Sequence, residues 1–188
     1  GDANDYISLI KVVNKLTGFQ ISFIKVTDYN AAVEAMRADR AQIAWYGGKT
    51  YIKAAEIAGA EAFAAGIRVG EKDAGYYTYF VTRKDSKINT FSEIKGSVLA
   101  LNTIGSTSGD LIPQVELAKI NLSIINKDDF KNIYYAGSHD ACLLAVLNNQ
   151  ADVCGMSSRN FEARLADNTF KKDQVRIIHK SQRVPPPP

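Results

Sequence analysis

The 188-residue sequence holds no cluster of four or more Lys or Arg, and its formal net charge is only +3. A basic stripe for nucleic acid is missing, as are RNP-like and zinc-finger patterns, so no nucleic-acid partner is expected. No apolar run approaches the roughly eighteen residues of a membrane helix, and no basic-then-apolar signal segment opens the chain. A soluble chain, in a processed form, is the expectation. Cysteine is scarce: Cys142 and Cys154 lack the paired spacing of a zinc site, and two buried thiols or one disulfide both fit them. Histidine is equally scarce, and no second His or Cys stands at ligand spacing from His139, so neither a metal nor a cofactor is expected. Apart from Pro113 the prolines are confined to positions 185–188, an extended tail without core of its own.

Hydrophobic residues make up 46% of the chain and charged residues 23%, which supplies a sizeable core in one large domain or two small ones. Ile7, Ile10, Val13 and Leu16 have helical spacing up to Gly18, and Asp28 is placed to cap a helix carrying Ala32, Val33 and Met36. A further helix is expected at 50–58. Strand patterns lie at 21–26, 42–46, 62–69 and 76–82, with charged, turn-rich stretches at 70–75 and 83–87 around the last. The second half continues with strands at 98–101, 133–135, 152–155 and 175–179 and helices ending near 119, 149 and 165. The alternation predicts an α/β fold of mostly parallel sheets flanked by helices.

Residues 105–110 read Gly-Ser-Thr-Ser-Gly-Asp just before a helical segment. Ser106, Thr107 and Ser108 offer hydroxyl donors, and the free N–H groups of a helix start carry partial positive charge, so the turn can wrap an oxyanion. An ordinary N-cap accounts for one of the hydroxyls, not for all. Gly47-Gly48-Lys49-Thr50 resembles the end of a Walker A loop, but the motif needs glycine where Ile43 stands. What remains there is a helix start with N–H groups turned to a cleft. His139, in Gly137-Ser138-His139-Asp140, can donate a ring N–H to an anion. A hydrolase built on Ser108 or Ser106 with His139 and Asp140 is a weak alternative, because the acid directly follows the histidine and no Gly-x-Ser-x-Gly elbow exists. Tyr29, Tyr46 and Tyr76 lie at element ends, where a phenol serves as apolar wall and hydroxyl donor together.

Taken in order, Asp28-Tyr29-Asn30, Ile43-Ala44-Trp45-Tyr46-Gly47, Gly75-Tyr76-Tyr77, Ser106-Thr107-Ser108-Gly109 and Gly137-Ser138-His139-Asp140 resemble the periplasmic phosphonate-binding proteins. The resemblance implies a type II periplasmic binding fold of two lobes, each a mostly parallel sheet flanked by helices. Lobe 1 would comprise residues 1–79 and 175–188, and lobe 2 residues 80–174, with two crossing strands between them. It implies a non-enzymatic, periplasmic subunit of an ABC importer, open to a lipid anchor in the full-length protein. As a monomer, it would carry a small phosphorus oxyanion (phosphonate, phosphite or phosphate) to a membrane permease. Ser106, Thr107, Ser108 and His139 would hold the oxyanion, Tyr29 and Tyr76 would close over it, and Tyr46 ranks below them. Aminoalkylphosphonate binders of the family hold the ammonium with acids; Arg159 and the prolines at 185–188 stand where those acids are expected. An aminoalkylphosphonate is therefore not the expected ligand, although Arg159 turned to solvent is the alternative. The resemblance also places a strand before the opening helix and helices after the prolines, so lobe 1 is expected to be incomplete at both ends. A ligand-sensing domain of a membrane-bound signalling protein is the other reading of the same fold.

Overall fold

Four apolar residues at helical spacing lie on α1, Ala3–Thr17, with Ile10 and Val13 half-buried and Ile7 and Leu16 exposed; the helix stops where Gly18 adopts a left-handed conformation. The structure, a computed structural model, describes residues 3–67, 74–186 and 188. Asp28 caps α2, Tyr29–Arg37, by accepting a hydrogen bond from Ala31 N–H, as its type and position predict. Helix α3, Gly48–Ala58, follows and packs on α2 through a small core of Val33, Tyr46 and Ala54.

From there the chain builds a sheet: β1, Thr78–Arg83; β2, Val98–Leu101; α4, Ile112–Ala118; β3, Asn132–Tyr135; α5, His139–Leu147; β4, Val153–Ser157; α6, Ser158–Ala166; and β5, Val175–Lys180. The five strands are ordered β3-β2-β4-β1-β5. Strand β2 runs parallel to β3 and β4, while β1 runs antiparallel to β4 and β5. Alternation along each strand sends neighbours to opposite faces. Phe80, Leu99 and Val153 join Phe91, Ile94 and Leu117 on one face. Val81, Ala100 and Cys154 join Leu143, Val146, Met156 and Phe161 of α5, β4 and α6 on the other. Cys142 and Cys154 form a disulfide, which ties α5 to β4 inside that second core.

The N-terminal segment departs from the expectation. Residues 21–26, 42–46 and 62–67 run without any strand pairing, and Arg68, Val69 and most of the 70–75 turn lie outside the described residues. The reason is visible in their side chains: Phe23, Ile43, Trp45 and Phe63 are exposed, Phe63 at 79%. A helix closes its hydrogen bonds within itself, whereas a strand exists only through a neighbour's ladder. Among the described residues no ladder reaches these segments; Tyr46 N–H, for example, donates instead to the Pro188 carbonyl at 3.0 Å.

Candidate functional site

Parallel strands β2, β3 and β4 end at the same edge of the sheet, the carboxyl edge where open α/β sheets commonly hold ligands. Strand β2 leads into the Ser-Thr-Ser turn, β3 into His139, and β4 into Arg159 on the first turn of α6. Because β1 is antiparallel and pairs Thr78 with Ser157, its beginning lies at this edge too, with Tyr76 just ahead of it. A bridge to Val184, with hydrogen bonds of 3.1 and 2.7 Å, holds Tyr76 in place. Topology alone thus gathers four separate segments.

The turn opens as a π-helix, Thr107–Leu111, which passes into α4. Its cap is Ser106, whose hydroxyl accepts from Gly109 N–H at 3.1 Å. The simple capping role therefore falls to Ser106, and Thr107 and Ser108 remain for other work. Both are buried, and the N–H groups of these first residues have no carbonyl one turn earlier inside the helix. Thr78 hydroxyl donates to the Ser108 carbonyl at 3.1 Å and fastens the turn to β1.

Tyr76 is buried against this turn. Burial pushes its phenol above the ordinary tyrosine range; the hydroxyls of Ser108 and Thr107 and the charge of Arg159 draw it back, while Tyr29 raises it. Those causes identify what surrounds the phenol: the turn, Tyr29 and Arg159. Tyr29 also lies over the start of the turn, since a Cβ built on Gly105 would sit 3.6 Å from the Tyr29 Cβ. The guanidinium of Arg159 stacks over the Tyr76 ring at 5.3 Å and donates to the carbonyls of Gly66 and Ala74. Arg159 is thus turned into the protein rather than out to solvent.

His139 is the first residue of α5, whose cap is the Ser138 hydroxyl. Its Nδ1 accepts from Ser157 N–H at 3.2 Å, which leaves the proton on Nε2. Burial pushes its pKa down to about 4, so near pH 7 the ring is neutral and its Nε2–H is a donor. Asp140 does not orient it: that carboxylate faces Arg164 at 3.6 Å. A Ser/His/Asp triad is therefore not assembled here.

Tyr46 has another setting. It is 3% exposed, packs with Val33 and Ala54, and donates its hydroxyl to the Ala32 carbonyl at 3.2 Å. The start of α3 likewise differs from the expected open cradle, because Lys49 N–H is taken by the Thr107 hydroxyl at 2.9 Å. Sequence reasoning assigned no part to Lys49 or Asp110, yet they meet in an ion pair of 2.7 Å. Burial disfavours the Asp110 carboxylate, but Lys49, Gly105 N–H and Tyr135 hold it below the usual range. In turn, burial and that carboxylate push Tyr135 up to about 12. The signal for Asp110 was its place: an acid inside a turn suited to anions needs a cation of its own.

Residues 3–188 match the family described as "ABC transporter, phosphonate, periplasmic substrate-binding protein". A phosphonates-binding periplasmic protein of Escherichia coli is 29% identical over 181 residues, covering 94% of this chain and 52% of the relative. The phosphate-import protein PhnD of Mycolicibacterium smegmatis is 28% identical over 189 residues, covering 95% of this chain and 58% of the relative. The chain therefore spans little more than half the length of these relatives. Among solved structures, a binding protein component of an ABC phosphonate transporter from Pseudomonas aeruginosa superposes with a TM-score of 0.88 at 28% identity, covering 100% of this chain and 64% of that one. PhnD1 of Prochlorococcus marinus, in complex with methylphosphonate, shares the fold with a TM-score of 0.81 at 20% identity, covering 99% of this chain and 71% of that one. The fold class is that of the type II periplasmic binding proteins.

Proposed function

The chain belongs to the phosphonate family of periplasmic ABC-transporter substrate-binding proteins, and from that premise we propose that it receives a small phosphorus oxyanion outside the cytoplasm and delivers it to a membrane permease. The observation that carries this reading is the buried Thr107-Ser108 turn, faced by the Tyr76 phenol and backed by the α4 dipole. Such a place suits an anion, because hydroxyls and N–H groups can donate to its oxygens without a change of protonation. Tyr29 closes from the side, and the neutral His139 adds one ring N–H. Tyr46, held in the core, contributes packing. In this reading the cleft lies between the N-terminal helices and the carboxyl edge of the sheet, to which β5 at 175–180 also belongs, and the protein acts as a monomer without chemical turnover.

The ligand is phosphite, phosphate or a phosphonate without an ammonium group. Arg159 supports this restriction: its guanidinium lies against Tyr76, where a ligand ammonium would meet like charge. Calorimetric titration with methylphosphonate, phosphite, phosphate and 2-aminoethylphosphonate tests both levels. Saturable binding of one of the first three, with the amino compound at least about tenfold weaker, is expected. Tightest binding of 2-aminoethylphosphonate overturns the reading of Arg159, and heat from none of the four overturns the function.

A further inference from the structure

A buried carboxylate beside an anion site opposes the ligand unless its charge is neutralised. Asp110 is 1% exposed and lies two residues beyond Ser108. Its Oδ1 accepts from Gln114 Nε2 at 2.6 Å and from Tyr135 Oη at 2.8 Å. Its Oδ2 accepts from Lys49 Nζ at 2.7 Å and from Gly105 N–H at 2.9 Å. Every strong acceptor direction of the carboxylate is thereby filled. These donors come from β3, from α3 and from the turn with the α4 that continues it, so one side chain gathers three separate pieces of backbone.

Lys49 makes a second connection. Its N–H donates to the Thr107 hydroxyl at 2.9 Å, and the neighbouring Thr50 hydroxyl donates to the Gly105 carbonyl at 3.1 Å. The start of α3 therefore grips the turn at its carboxylate, at a hydroxyl and at a carbonyl. A hydroxyl that accepts from a backbone amide has its own hydrogen turned elsewhere. For Thr107 the neighbour on its other side is the Tyr76 phenol, which faces the place assigned to the ligand.

We propose that Lys49 and Asp110 are a positioning pair for ligand recognition: Asp110 holds the oxyanion turn in shape, and Lys49 neutralises it while seating α3 against Thr107. The pair touches no ligand and acts through the turn. This inference rests on the oxyanion reading above. Because Lys49 belongs to the N-terminal helices and Asp110 to the sheet side, the pair also links closure of these two parts to the aim of one donor.

The test is a double-mutant cycle with Lys49→Met and Asp110→Asn, read as methylphosphonate affinity by calorimetry and as the thermal midpoint of the ligand-free protein. Lys49→Met should weaken affinity about tenfold or more and also lower the ligand-free midpoint, since the buried Asp110 carboxylate loses its cation. In the Asp110→Asn background the same lysine change should cost less than about threefold, because its partner is already gone. A lowered midpoint with unchanged affinity in Lys49→Met overturns the proposal, as do two losses that simply multiply. If Asp110→Asn does not fold, Tyr135→Phe removes one donor to Asp110; it should weaken affinity a few-fold, and unchanged affinity there counts against the pair. No binding of any phosphorus oxyanion by the unaltered protein removes the functional reading itself, and the pair's role with it.

Discussion

Residues 3–67 and 74–184 carry the same kind of sequence, apolar segments separated by polar turns, yet they end in different states. In the second stretch five strands pair, two cores fill the faces of one sheet, and Phe80, Val81, Leu99, Ala100, Val153 and Cys154 are all fully buried. In the first stretch α1, α2 and α3 form, but the core between them is small and Leu16, Trp45 and Phe63 stay exposed. Helix formation needs only local agreement of spacing and caps, while a strand needs a neighbour on at least one side. The first stretch is the richer in apolar residues, so apolar content is not what it lacks; among the described residues it lacks strand neighbours.

The largest effect that sharpens this contrast is expected from Phe80→Ala. Phe80 is fully buried against Phe91 and His179, and its loss should cost about 3–5 kcal/mol in denaturant unfolding. Val33→Ala, equally buried but in the small helical core, should cost only about 1–2 kcal/mol. Equal losses would mean that the helical part is as tightly built as the sheet.

Acid should come next. Asp110 and Glu116 both titrate below their ordinary values of 3.8 and 4.5, the first through Lys49, Gly105 N–H and Tyr135, the second through Lys119 and His179. A carboxyl with a depressed pKa stabilises the fold above its unfolded value, and that contribution disappears as pH falls through the folded value. Unfolding curves measured from pH 5 downward should therefore show stability falling below about pH 4, less steeply in Asp110→Asn. An unchanged slope in that variant would detach Asp110 from the acid limb.

The strands of the sheet, the cap at Asp28 and a hydroxyl-bearing turn ahead of a helix at 106–108 were readable in the residues, because period, cap chemistry and hydroxyl content are local properties. The missing pairing at 21–26 and 42–46 was not, since alternation in a sequence carries no information about whether a neighbour arrives. Tyr46 sat in a suggestive segment, but its direction is fixed by Val33 and Ala54 on other helices. Lys49 was considered only for a Walker loop and set aside; its partner is 61 residues away, and only the closed fold brings the two together.

The smallest effect belongs to Phe63→Ser. With 79% of Phe63 exposed, the change should shift stability by less than about 0.5 kcal/mol. A loss of 2 kcal/mol or more would show that this segment is covered in solution and would erase much of the difference between the two stretches.

Gly109 gives the turn a further property. A Cβ at this position would overlap the Asn102 side chain, itself 2% exposed at the end of β2. Mutational drift is therefore blocked at Gly109. In a library randomised across 106–110, the folded members should keep glycine at 109, because any side chain there meets the buried Asn102. The turn is in this sense pinned in sequence as well as in space, and its history of change has to run through the other positions one contact at a time.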